Sequence, residues 1–435
     1  MPVYSDILGM NTRNVRYLRL NKGKGRRIAD SKLLTKTVLK KKRVPHPQLI
    51  TIIENYSDMQ MFDFLSLKSG FVLKPSEGLG GDGIVVVKKP SMYAGEWITM
   101  SGEIVNLESL KVHIGGILEG QFSRNRTPDI CIIEERIKIH PKFRKYAHGG
   151  TPDVRVIVFN SVPVMAMLRL PTKESNGKAN LHQGAIGVGV DLATGITTYA
   201  VHNDTLISYI PGTEKKVNGI VIPDWEEILK VAIDAQHAST LNYAGIDLVV
   251  DEEKGPLVLE INDQPGLQIQ VANRRGLYSR LKRVENLEIS GRYKGMQIAQ
   301  LLFAESFSDK VKINQGQKVL GIYEEVQLFD DHCKKHSVLA KMDTGAYSAS
   351  IDEGLATKLG LMSKKNVLYK KTVKSALGRQ KRPVIEMEFM LKGRKINAMA
   401  TVVDRSKLNA PILVGQKYLQ GYMLDPSKHS SPDEV

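Results

Sequence analysis

Gly245-Ile-Asp-Leu-Val-Val-Asp-Glu-Glu-Lys-Gly-Pro-Leu-Val-Leu-Glu-Ile-Asn-Asp-Gln-Pro-Gly266 is the stretch from which the rest of the chain is read. Two apolar, β-branched runs, 246–250 and 257–261, flank a charged turn, the pattern of a hairpin. Successive side chains of a strand point to opposite faces, so Glu260 and Asn262 share one face. With Asp247 on the companion strand they offer three oxygen donors. That set suits Mg²⁺, which takes one or two carboxylates and fills its octahedron with nucleotide phosphates; Mn²⁺ is the alternative hard cation. A surface hairpin with scattered acids would not explain acids alternating with buried-type Val, Leu and Ile.

Upstream, Phe71-Val-Leu-Lys-Pro-Ser-Glu-Gly-Leu-Gly-Gly-Asp-Gly-Ile84 sets Lys74 at a strand end and follows it with Gly78, Gly80, Gly81 and Gly83. Glycines let backbone N–H groups approach phosphate oxygens, and a lysine adds a point charge. The competing reading is a flexible turn. A Walker A loop is excluded, because Gly83 is followed by Ile84 rather than by Lys and Ser or Thr. Around this loop the pattern predicts a helix over 31–42, closed by Pro45 and Pro47, and an extended segment over 48–53. Strands are expected at 70–74, 84–87, 130–133, 153–159 and 162–168, and helices at 225–239 and 295–307.

The Lys74 loop, Ile133-Glu-Glu-Arg-Ile137 and Glu260-Ile-Asn-Asp-Gln-Pro-Gly266, in this order, resemble the ATP-grasp ligases, most closely the RimK-like glutamate ligases. Asp30-Ser-Lys-Leu-Leu-Thr-Lys36, Gly150-Thr-Pro-Asp-Val-Arg155 and Ala179-Asn-Leu-His-Gln-Gly184 extend the resemblance over residues 7–305. It implies an α/β (α+β) ATP-grasp fold. It also implies that Lys32 and Lys74 contact nucleotide phosphates, that Glu135 lies at the adenine–ribose hinge, and that Asp247, Glu260 and Asn262 hold Mg²⁺. Arg169 and Asn180 match positions near an acyl-phosphate. The implied reaction transfers the ATP γ-phosphate to a carboxylate, of a peptide or small molecule, and lets the amine of an amino acid such as glutamate attack. Such ligases usually carry about a hundred residues ahead of their first lysine, a domain's worth of chain. Only 31 residues precede Lys32, so a reduced N-terminal layer is expected.

The polar segment 308–316 marks the expected boundary between a domain over 1–310 and one over 318–435. Short strands expected at 318–328, 337–342, 384–391, 396–403 and 411–414 make the second domain mostly β. Within it, Leu339-Ala-Lys-Met-Asp-Thr-Gly-Ala346 runs an apolar strand into Asp-Thr-Gly, and Pro411-Ile-Leu-Val-Gly415 brings an apolar pair and a glycine 72 residues after Asp343. Together these resemble the retropepsin-like, RimB-type domains sometimes labelled ATP-dependent zinc peptidases. The resemblance implies a small all-β barrel with Asp343 as the catalytic carboxylate. Aspartic peptidases share one proton between two carboxylates, and this chain has one Asp-Thr-Gly, so a homo-oligomer through the C-terminal domain is expected. His332-Cys333-x-x-His336 would put two histidines on one face of a helix. It lacks the His-Glu-x-x-His glutamate and a third ligand, and reads as a polar connector.

The charge of +16 is concentrated at the start: residues 1–50 hold 13 Lys and Arg against Asp6 and Asp30, a net of +11. Such an arm can bind nucleic acid. Sparse aromatic interleaving favours a solvated face beside a polyanionic nucleotide instead. Two cysteines about 200 residues apart are no disulfide framework, and no apolar run reaches the roughly 18 residues of a membrane helix. With no secretion signal at the N-terminus, a cytoplasmic setting is expected.

Overall fold

Ser31 opens the first long helix, Lys32–Lys41, by accepting the Leu34 N–H at 3.2 Å, the usual service of a serine N-cap. A computed structural model describes residues 6–78, 80–123, 126–146, 148–289, 291–304, 318–375 and 378–426; the segment 308–316 lies outside them. The chain divides into two compact units, Met1–Val284 and Glu285–Val435.

The first unit holds two antiparallel sheets. One has β1 (Leu49–Ile53), β2 (Phe71–Pro75), β3 (Val85–Pro90), β4 (Glu96–Thr99), β5 (Ile104–Asn106) and β6 (Cys131–Glu135) in the order β1-β6-β2-β3-β4-β5. The glycine-rich stretch is the turn of the β2–β3 hairpin, with Val72 opposite Val86 and Leu73 opposite Val85. The other has β7 (Asp153–Phe159), β8 (Val162–Leu170), β9 (Ile186–Val190), β10 (Thr197–His202), β11 (Thr205–Ile207), β12 (Tyr243–Asp251) and β13 (Gly255–Asn262) in the order β11-β10-β9-β8-β7-β12-β13.

An antiparallel sheet with one wet face alternates polar and apolar residues. All nine residues of β8 and all nine of β12 are buried, so the middle of this sheet is covered on both faces. The helix Trp225–Ser239 packs on β7, β8, β12 and β13, and Ile269–Asn273 packs on β8 to β10. Ile186-Gly-Val-Gly-Val190 escaped the strand pattern because glycine weakens it. Gly189 is needed there for close approach: a Cβ would stand 2.5 Å from the Ala272 carbonyl oxygen.

The short N-terminal region is tethered to the β12–β13 end of this unit. Leu8 N–H donates to Gln270 Oε1 at 2.8 Å, Asn21 Nδ2 donates to the Tyr243 carbonyl at 2.8 Å and Arg13 donates to the Pro265 carbonyl at 3.2 Å. Arg16 donates to the Tyr278 hydroxyl at 3.2 Å. Part of the basic arm thus serves internal docking. Among the described residues no helix is long and apolar enough to cross a membrane.

The second unit adds the helix Arg292–Phe303, then β14 (Lys318–Leu320), β15 (Tyr323–Phe329), β16 (Lys335–Asp343), β17 (Ala349–Asp352), β18 (Val367–Ser375), β19 (Gly378–Leu391), β20 (Arg394–Val403), β21 (Ile412–Gly415) and β22 (Tyr422–Leu424). Seven of these run β15-β16-β21-β17-β20-β19-β18, and β15 also pairs with β19, closing six strands into a barrel with β18 outside the closure. The interior is apolar, with Val326, Leu328, Ile351, Met387, Phe389, Ala398, Ile412 and Val414 among its buried residues.

One local expectation is corrected. The run 318–328 is two strands, because Gly321 breaks it and its N–H donates to Glu324 Oε1 at 2.8 Å. The His332 to His336 segment, read as a polar connector, is a hairpin turn. Asp330 Oδ1 accepts the N–H groups of His332 and Lys334, Cys333 sits at φ 61°, and His336, already on β16, approaches Asp330 Oδ2 at 2.7 Å.

Candidate active site

Strand register decides which charges meet. On the larger sheet Arg169 of β8 stands opposite Asp153 of β7, Arg155 of β7 opposite Asp247 of β12, and Asp247 opposite Glu260 of β13. Residues 153 and 155 share a face, as do 260 and 262, so one face carries a row of charged and amide side chains across four strands. A β-bulge at Leu259 shifts the register beyond Asp247, a device that re-aims side chains beside sites.

The row is tightly bonded. Arg169 donates to both Asp153 oxygens at 2.6 Å and to Asp247 Oδ2 at 2.8 Å. Arg155 grips Asp247 through two bonds of 2.7 and 2.6 Å, and Asn262 Nδ2 donates to the same carboxylate at 3.2 Å. Burial alone would raise Asp247, but the two guanidinium groups overcome it and hold the carboxyl down to about 2. Burial pushes Asp153 up to about 6 against the opposing charge of Arg169. A depressed acid contributes stability that is present above its unfolded value and lost as pH falls through the folded one. The Asp247 contribution is therefore expected to hold to about pH 4, near the unfolded aspartate value, and to fade toward pH 2. Asp153 acts in the opposite sense, favouring the folded state as pH falls from 6.

Removing one partner of such a buried set leaves an uncompensated charge, at about 3–5 kcal/mol. Arg155→Met is thus expected to lower the urea midpoint strongly at pH 7 with an unchanged slope. A midpoint equal to the parent's would show that Arg169 alone satisfies Asp247.

On the smaller sheet Lys74 of β2 and Glu134 of β6 share a face, because Val72 stands opposite Glu134. Lys74 Nζ bonds Glu134 Oε1 at 2.7 Å, and Lys36, from the helix Lys32–Lys41, pairs with Glu134 Oε2 at 2.5 Å. Burial disfavours the charged Glu134, yet the two ammonium groups hold its carboxyl below the usual range. One turn earlier, Lys32 donates to the Gly78 carbonyl at 2.6 Å. Its pKa is lowered by burial, with the charge of Glu260 opposing.

In the loop, Gly80, Gly81 and Gly83 take φ of 61°, 83° and 74°, which side-chain-bearing residues rarely adopt. A Cβ at Gly83 would strike Phe122 at 2.6 Å. At Gly80 and Gly81 the nearest atoms, of Gln183 and Lys178, lie 3.6 Å or more away, which leaves that backbone approachable.

Two further expected residues stand outside this charged row. Glu135 points to the other face of β6, accepts the Gln48 N–H at 3.0 Å and pairs with Lys254 of the β12–β13 turn. Asn180 caps the turn Leu181–Gln183 by accepting the His182 N–H at 3.0 Å. Arg155, Asp153, Lys36 and Glu134 were missed by sequence reasoning. The period-2 rule applied to Asp153-Val-Arg155 could have found the first two.

Two carboxylates and an amide oxygen on adjacent strands fit a hard divalent cation, with Asp247 shared between that role and the arginines. The fold is the ATP-grasp α/β fold. The protein belongs to the sugar-transfer associated ATP-grasp family, whose model matches residues 12–286, well over half of the chain.

Among solved structures the chain is similar to the ATP-grasp ligase PsnB complexed with a minimal precursor, at 13% identity over 60% of each chain with a TM-score of 0.34. It is similar to an L-amino acid ligase from Bacillus licheniformis at 13% identity, over 57% of this chain and 46% of that one, TM-score 0.34. A third similarity is to D-alanine–D-alanine ligase from Bacillus anthracis complexed with ATP, at 14% identity over 72% and 77%, TM-score 0.34. The chain thus spans less than two thirds of the first two proteins. No curated protein matches the sequence.

Proposed function

We propose that the protein is an ATP-dependent carboxylate–amine ligase of RimK-like type, joining an amino acid to a peptide or small-molecule carboxylate. The observation that carries this reading is Lys32, bonded to the glycine loop at 2.6 Å with the charge of Glu260 opposing the lowering of its pKa, as adjoining phosphate and cation sites would require. Lys32, Lys74 and the Gly80–Gly81 backbone would hold the ATP phosphates, and Asp247, Glu260 and Asn262 would hold Mg²⁺. That cation supplies charge neutralisation when bound. The acceptor carboxylate oxygen takes the γ-phosphoryl group and ADP leaves. The amine then attacks the acyl carbon, phosphate departs and the amine proton is released, leaving an amide. Arg169, anchored on Asp153, would face the acyl-phosphate oxygens. Phosphoryl transfer is mostly positioning and charge neutralisation, which is what this row of fixed charges supplies.

A screen of amino acids and peptides for ADP formation tests the reading. ADP release that requires both a carboxylate and an amine is expected; salt-sensitive RNA binding without turnover would favour a nucleotide-regulated binding module instead.

For the barrel we propose a retropepsin-like carboxylate site completed by a second copy. Asp343 ends β16 opposite Gly415 of β21, and its Oδ1 accepts the Gly345 and Ala346 N–H groups at 2.8 and 3.1 Å. Asp343→Asn is expected to remove any peptide cleavage, which should show a bell-shaped pH profile, and to leave the ligase rate unchanged. Cleavage by a strict monomer, or cleavage that survives this substitution, would rule the aspartic mechanism out.

A further inference from the structure

Lys36 is a buried ammonium that shares Glu134 with Lys74 and that the proposed reaction does not use. Its side chain is 3% exposed, as is that of Glu134, against 7% for Lys74. Lys36 Nζ is held from two sides, by Glu134 Oε2 at 2.5 Å and by the Pro47 carbonyl at 2.8 Å, just ahead of β1. At that burial, and turned toward Glu134 and Pro47, it acts through Glu134 rather than by contact.

We propose that Lys36 is a positioning residue for the nucleotide: by occupying one oxygen of Glu134 it leaves the buried Lys36–Glu134–Lys74 group with a net positive charge for Lys74 to present to phosphate. This rests on the ATP-binding reading above. The charge count gives the reason. A lone Glu134–Lys74 pair is neutral, and in a low-dielectric interior the carboxylate would bind the ammonium strongly and compete with phosphate for it. With Lys36 the same carboxylate is shared between two ammonium groups. Pro47 fixes Lys36, so the carboxylate, and through it Lys74, has one resting place. The spacing of Lys32 and Lys36, one helical turn apart, puts both on the side of the helix facing β2 and β6.

The test is equilibrium binding by calorimetry to the full chain, with no acceptor present, using ATP with Mg²⁺, ADP with Mg²⁺ and adenosine. Lys36→Met is expected to weaken ATP binding roughly tenfold, the scale of coupling between contacting charges, with ADP weakened in the same sense and adenosine unchanged. Lys36→Arg keeps the charge and should keep most of the affinity. A purely structural loss would weaken adenosine as well, and would sink the proposal. So would a folded Lys36→Met protein that binds ATP as the parent does.

A second arm stands even where Lys36→Met does not fold. The groups around the Lys36 ammonium are Lys74 on β2, Glu134 on β6 and His46 ahead of β1, with Glu135 acting at longer range from the other face of β6. Burial, helped by the charge of Lys74, lowers Lys36 to about 8. ATP affinity of the parent should therefore fall as pH rises through about 8, and Lys36→Arg should lack that limb. Persistence of the limb in Lys36→Arg overturns the proposal. A parent that binds no nucleotide overturns the ligase reading too, whereas nucleotide binding with the predicted Lys36 effects but no amide formation would overturn only the ligase reading.

Discussion

Glu260→Gln is expected to abolish ATP-dependent ADP formation while the protein stays folded. Glu260 is half-buried on β13 directly opposite Asp247, and the substitution removes one charge from the proposed cation site without changing shape. A bound divalent ion contributes several kcal/mol of charge stabilisation in phosphoryl transfer, so turnover should drop by more than about a hundredfold. The structural bonds of Asp247 run to Arg155, Arg169 and Asn262. The thermal midpoint should therefore hold near the parent's. Turnover within a few fold of the parent, measured at saturating Mg²⁺, would mean that Glu260 is not a ligand.

Lys74→Met is the second large effect. It keeps the apolar stem and removes the ammonium. A hydrogen bond to a charged group is worth about 1.5–3 kcal/mol, so the KM for ATP should rise roughly ten- to a hundredfold, and kcat should fall with it. The fold has a reason to survive, since Glu134 keeps its ion pair with Lys36 at 2.5 Å. Unchanged nucleotide binding would make Lys74 a structural partner of Glu134 and nothing more.

Much of this site is legible in the chain because it depends on local rules. Alternation along a strand puts Glu260 and Asn262 on one face whatever the rest of the protein does. The glycines at 80, 81 and 83 announce backbone that other residues avoid, and their φ values bear this out. The helix over 225–239 and the strand over 153–159 are predicted to the residue, because their apolar periods are long and unbroken. The second unit was less legible. β17 has four residues and β18 carries lysines and threonine on an edge, so neither has a strong apolar period.

The sequence by itself determined the ATP-grasp class, the loop that can approach phosphate, and the acid and amide that share a strand face. The class follows from the resemblance that its motifs carry; the loop and the shared face follow from backbone freedom and side-chain period, which are properties of a few consecutive residues. Only the tertiary structure decided the partners. Arg155 meets Asp247 across 92 residues, Lys74 meets Glu134 across 60, and Lys254 finds Glu135 across 119. Such pairs depend on strand order, on a register set by the Leu259 bulge, and on which of two adjacent glutamates faces the sheet's charged side. A one-residue change of register exchanges the faces, so no count along the chain could tell Glu134 from Glu135.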